Sequence, residues 1–179
     1  MRLRFTTLAA AGGALILRCA ALHAQGPVTR TLQKLEERAA HNLSEAAEEM
    51  PEDKYAFRPT PEQMSFGALV LHVADANTFL CSAIAGRPLP VQKQLLPTDS
   101  KDKLSERLEE SFDLCNAALE HADDAFLDDS IPVVGGRKIT RAAALMELAA
   151  DWADHYSQMA MYMRLNGLLV PTVKHKEKH

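Results

Sequence analysis

Apolar residues recur along this chain at intervals of three and four, the beat of an α-helix laid against a core. The clearest run ends at Gly167: Leu145, Leu148, Trp152, His155, Met159 and Tyr162 fall on one stripe. Thr140 is its expected cap, and Asn166-Gly167 with Pro171 beyond should stop it. Three more stripes precede it. Val28, Leu32, Leu35, Ala39, Leu43, Ala46 and Met50 predict a helix from about Val28 to Met50, with Glu, Lys and Arg on its other face and Pro51 as terminator. Phe66, Leu69, Val70, Val73, Leu80 and Ile84 predict a second over Phe66 to Ala85, capped by Ser65 and closed by Gly86. Leu104, Leu108, Phe112, Cys115, Leu119 and Ala122 predict a third, capped by Ser100. It should end near Asp123-Asp124, which reads as a solvated turn.

The connectors follow from their breakers. Pro59 and Pro61 keep residues 51–63 out of helical geometry, while Tyr55 and Phe57 are apolar enough to fold back over one end of the core. Residues 86–100 hold Pro88, Pro90 and Pro97 and form a long link. Ile131 to Lys138, with Gly135-Gly136, reads as an irregular excursion or a small β-turn. There is no internal repeat. Four amphipathic helices with such connectors describe an all-α four-helix bundle.

Composition changes this picture at the ends. The 179 residues suit one domain, and 47% apolar with only 6% aromatic favours helices. MRLR followed by the apolar run FTTLAAAGGALIL and the small-residue stretch Ala20-Ala21-Leu22-His23-Ala24 reads as a signal peptide over residues 1–24. A buried N-terminal helix is the alternative. Arg18 before Cys19 argues against lipid attachment there, and the run is too short for a stable membrane span. Cleavage would remove Arg2, Arg4 and Arg18 and no acid, taking the net charge from −4 to −7. No nucleic-acid footprint survives that balance. The mature chain, periplasmic or secreted, would be a bundle over residues 25–173 with a frayed tail, KHKEKH, at 174–179. Cys81 and Cys115 remain, either bridged or as two buried thiols.

Candidate chemistry sits on two helices. His155 lies in the middle of an apolar stripe, with Asp151 one turn earlier. Both are costly to bury without partners. His72 falls between Leu69, Ala76 and Phe79, so it points inward or nearly so; it reads either as a satisfied core histidine or as a third donor. His41 lies off its stripe and reads as solvated. Bundles build metal sites from facing helices, and two imidazoles with one carboxylate suit Zn²⁺ or Fe²⁺ and also hold Ni²⁺ or Mn²⁺.

The runs FRPTPEQMSFGALVLHVADAN at 57–77 and DHYSQMAMYMRLNGLLVP at 154–171 resemble the DinB-like family of damage-inducible bundle proteins, over nearly the whole mature chain. That family's pattern is one histidine on helix two and two histidines four apart on helix four. His72 and His155 match it, whereas position 151 is an aspartate. The resemblance implies a long crossover between parallel helices two and three, which would bring Cys81 and Cys115 to the same end. It also implies frequent homodimers, and relatives that include metal-dependent thiol transferases and isomerases.

Two functions compete on this basis. One is a metal-dependent enzyme of hydrolase or thiol-transferase type, holding a divalent ion with His72, Asp151 and His155 and acting on a small molecule. Asp75, Asp154 or Tyr156 would act around the ligands, and no catalytic residue is assigned. The other is a non-catalytic periplasmic binding or dimerisation module without metal, in which Asp151 and His155 pair with each other and with Tyr156 or Ser157. No Ser–His–Asp spacing, phosphate loop or CxxC supports another enzyme class.

Overall fold

The computed structural model describes residues 25–174, so the expected signal peptide, Cys19 and residues 175–179 of the tail lie outside the described residues. Four long helices form: α1 (Pro27–Glu49), α2 (Phe66–Ala85), α3 (Lys101–Glu120) and α4 (Arg141–Leu165). The short helix α5 (Pro171–Lys174) follows. Lys174, read from sequence as tail, ends α5 and pairs with Glu49 of α1.

The cap chemistry behind these boundaries is local. The Ser65 hydroxyl accepts from the Ala68 amide at 3.2 Å, and Thr140 accepts from the Ala143 amide at 3.1 Å. Gly86 takes φ 64°, the left-handed geometry that ends α2 without a side-chain clash. Ser100 holds the N-cap position of α3, but its hydroxyl makes no capping bond.

Asn77 of α2 stands opposite Ser111 of α3, and Cys81 opposite Cys115, a constant offset of 34 residues. The two helices therefore run parallel, joined by the crossover of residues 86–100. Its backbone passes so close to the start of α2 that a Cβ at Gly67 would meet the Pro97 carbonyl oxygen at 2.7 Å. Against α2, α4 runs antiparallel: Arg141 reaches the Ile84 carbonyl, Trp152 meets Asn77 and Tyr162 meets the Met64 carbonyl. The helix α1 is antiparallel to α3, so the four close a ring in the order α1, α3, α2, α4. By length and apolarity α2 could cross a bilayer, with mean hydropathy 1.5, and here more than half of it is buried in this ring.

Residues 51–63 do fold back. Tyr55 is buried against Phe66 with ring centroids 5.2 Å apart, and its hydroxyl donates to the Ala47 carbonyl at 2.8 Å. Phe57 meets Tyr162 edge-on.

Two expectations need correction. The excursion before α4 is a two-stranded hairpin, β1 (Ser130–Pro132) and β2 (Lys138–Thr140), turning through Gly135 and Gly136 at positive φ and burying Ile131. Asp124 is no mere solvated turn. Its carboxylate accepts from the Val28 and Thr29 amides, each at 2.9 Å, and from the Thr29 hydroxyl at 2.7 Å. A residue between α3 and β1 thus caps α1, whose own N-cap, Gly26, has no side chain to do so.

Candidate metal centre

The middle of α4 is fixed from behind by a buried polar chain. The Trp152 indole donates to Asn77 Oδ1 at 2.7 Å, Asn77 Nδ2 donates to Ser111 Oγ at 3.1 Å, and Ser111 Oγ donates to the Leu108 carbonyl at 2.7 Å. Three helices are pinned at one level by this chain of hydrogen bonds. One residue before Trp152 and three after it come Asp151 and His155, turned toward α2.

His155 is 7% exposed, and its Nε2 lies 3.1 Å from Asp151 Oδ1. That hydrogen bond holds the His155 pKa above its ordinary value against the opposing effect of burial, and the Asp151 and Asp154 charges add to the rise. On the other side of the ring, Gln158 Nε2 lies 3.4 Å from His155 Nδ1 and donates to Asp154 Oδ2 at 2.9 Å. Asp154 therefore reaches the imidazole through Gln158, a residue sequence reasoning passed over. The signal was there: Gln158 is three residues beyond His155, on the same face.

The third donor comes from α2. His72 packs its ring edge-on to His155, centroids 4.8 Å apart. One ligand atom each from His72, Asp151 and His155 lie within 4.8 Å of one another. His72 does not point inward, however; it is exposed. Its neighbours explain why. Burying Leu69, Val70 and Val73 gains about 1.5–3 kcal/mol each, so α2 rolls those positions into the core. Ala68, His72, Asp75 and Phe79 are left on the outer stripe.

A cation fits this donor set. Asp151 Oδ1 is engaged by His155, but Asp151 Oδ2 is buried without a hydrogen-bond partner. Such an orphaned oxygen is uncommon and calls for a counterpart. Of the outer residues expected, Asp75 lies one turn from His72. Burial raises its pKa, while the Arg107 and His72 charges pull it down. Tyr156 is turned away: its hydroxyl donates to Thr172 Oγ1 at 3.0 Å and accepts from the Thr172 amide. Ser157 donates to the Ala153 carbonyl. Neither joins the Asp151–His155 pair. His41 is exposed and stands 3.2 Å from Glu45.

A family model described as the DinB superfamily matches residues 36–159. The chain belongs to the DinB superfamily.

Solved structures agree on the DinB fold. A DinB-like protein from Bacillus subtilis superposes with a TM-score of 0.65 at 23% identity, covering 79% of this chain and 95% of that one. A DinB-like protein from Bacillus cereus gives 0.65 at 17% identity, with 79% and 95% covered. A more distant likeness is to a mycothiol-dependent maleylpyruvate isomerase, TM-score 0.57 at 14% identity, over 73% of this chain and 60% of that one. No curated protein matches this chain. Within the DinB bundle, the His72, Asp151 and His155 group can hold a metal ion.

Proposed function

We propose that this chain is an exported, divalent-metal-dependent enzyme acting on a small molecule by hydrolysis or thiol transfer, with His72, Asp151 and His155 as ligands. Convergence carries the reading: donors from two helices lie within 4.8 Å of one another, and one carboxylate oxygen among them is buried and unpartnered. A bound ion supplies the acidity that lets a water or thiol react as its anion near neutral pH. The chain's own residues position and gate. Asp151 holds the His155 ring at Nε2, and Gln158, bonded to Asp154, stands against Nδ1, so the ring's orientation is set from both sides. His72 keeps one side open to solvent. The distant likeness to a mycothiol-dependent isomerase supports a thiol among the substrate classes. Export is supported by the basic, apolar and small-residue succession of residues 1–24, and by the buried Cys81–Cys115 bridge.

A second reading, a metal-free binding or dimerisation module, draws on one observation: Asp151 and His155 already bond each other at 3.1 Å.

Metal content separates the two. The chain shortened after Lys174, so that His175 and His179 cannot scavenge, should hold about one divalent ion. His72→Ala and His155→Ala should each lose it. Asp151→His should keep Zn²⁺ and Ni²⁺ but bind Mn²⁺ less well, since Mn²⁺ prefers oxygen. Stoichiometry near zero after reconstitution with Zn²⁺, Ni²⁺, Mn²⁺ and anaerobic Fe²⁺ would leave the module reading. An Asp151→Ala protein that melts early yet binds metal like the parent would remove Asp151 from the ligands.

A further inference from the structure

On the side of α4 away from the three donors, a cavity of about 330 Å³ opens between α1 and α4. None of the three metal-site residues lines it. Leu35, Ala149 and the ring of Trp152 supply an apolar wall, and no acidic residue contributes to the lining. Arg38 and Asn42, one turn apart on α1, face each other's level on the polar side. The Arg38 guanidinium has no ion-pair or hydrogen-bond partner among the described residues. Asn42 is 7% exposed, and its side-chain amide is likewise unpartnered. The remaining polar groups there are engaged: Ser157 with the Ala153 carbonyl, Tyr156 with Thr172. A guanidinium without a counter-charge and an amide whose donors still reach solvent, set beside an apolar wall, describe half of a recognition site.

We propose that this cavity binds a small organic carboxylate, its anionic end on Arg38 and Asn42 and its apolar body against Trp152 and Leu35. A carboxylate satisfies both donors at once through charge-assisted hydrogen bonds. A neutral ligand leaves the guanidinium without its counter-charge. The site is separate from the metal centre and does not depend on it.

Trp152 is the chain's one tryptophan, so its fluorescence reports the cavity. Phenylacetate, titrated into the full chain, should change that emission saturably. Its uncharged amide, phenylacetamide, should bind about tenfold more weakly or worse, and Arg38→Gln should weaken phenylacetate by a similar factor. Arg38 is exposed, so this variant folds. Asn42→Leu, checked by circular dichroism, should weaken it too. His72→Ala should leave phenylacetate binding unchanged. The proposal fails if no saturable change occurs at millimolar phenylacetate, or if the amide binds as well as the acid. It also fails if Arg38→Gln binds as the parent does, or if His72→Ala abolishes the signal, which would put the carboxylate at the metal centre.

Discussion

Glu36 carries a carboxyl into the interior of α1 at 4% exposure. Burial, then the nearby Glu37 and Asp113 charges, push its pKa to about 7. The folded state therefore holds a proton that the unfolded state has lost above its ordinary pKa of 4.5. Stability falls as pH rises through that window and is level above it. Part of the carboxyl's field reaches water, so a cost on the order of 1–3 kcal/mol at pH 8 is the appropriate scale. Glu36→Gln should raise the urea midpoint at pH 8 and leave it nearly unchanged at pH 4. Parallel pH profiles for the two proteins would refute the assignment. From sequence, Glu36 belonged to the charged outer face, and His72 to the inner one. Both errors have one origin. Periodicity fixes which residues share a stripe, but the breadth of an apolar face leaves the roll of the helix about its axis free by tens of degrees. Packing against neighbours decides that roll, and no single helix encodes it.

At the scale of elements, the pairing of α2 with α3 is held covalently as well as by packing. Cys81 and Cys115 are fully buried and joined, with Cα atoms 5.0 Å apart. Closing a loop over 34 residues stabilises by about 3–4 kcal/mol on the chain-entropy model. Protein beginning at Gln25, unreduced and denatured, should show no free thiol, and the Cys81→Ala, Cys115→Ala double variant should lose stability of that size. Two free thiols per chain would overturn the bridge. The span of α2, Phe66 to Ala85, was legible to the residue because Ser65 and Gly86 act locally. The hairpin was not, since strands of three residues carry too little alternation to distinguish them from a loop. Family resemblance gave the parallel course of α2 and α3 and favoured His72, already a candidate from its place on α2, as the third donor; the ring order of the helices was not read from the sequence. Spacing alone placed Asp151 and His155 together and left His72 open between a core histidine and a third donor.

For the molecule as a whole, the least legible device is the Asp124 cap on α1, because donor and acceptor lie 96 residues apart. Although burial opposes it, the hydrogen bonds from Thr29 and Val28 hold the Asp124 pKa below the usual carboxylate value. A lowered pKa stabilises at neutral pH, and that stability is lost as pH falls below the ordinary carboxylate range. Asp124→Ala should therefore melt earlier than the parent at pH 7, with the difference shrinking in acid. Hydrogen exchange should show the Val28 and Thr29 amides losing protection while the middle of α4 keeps its own. Equal protection of those amides in both proteins would dismiss the cap.

That cap also sets a clock on biosynthesis. A ribosome makes α1 before the other three helices, yet the group that completes its first turn emerges 96 residues later, a delay of roughly 5–20 s at ordinary elongation rates. Until then the leading helix has its first amides open. The first of the four helices to be made is thus among the last to be capped, and its opening turn stays accessible to a chaperone for as long as the remainder of the bundle is still being written.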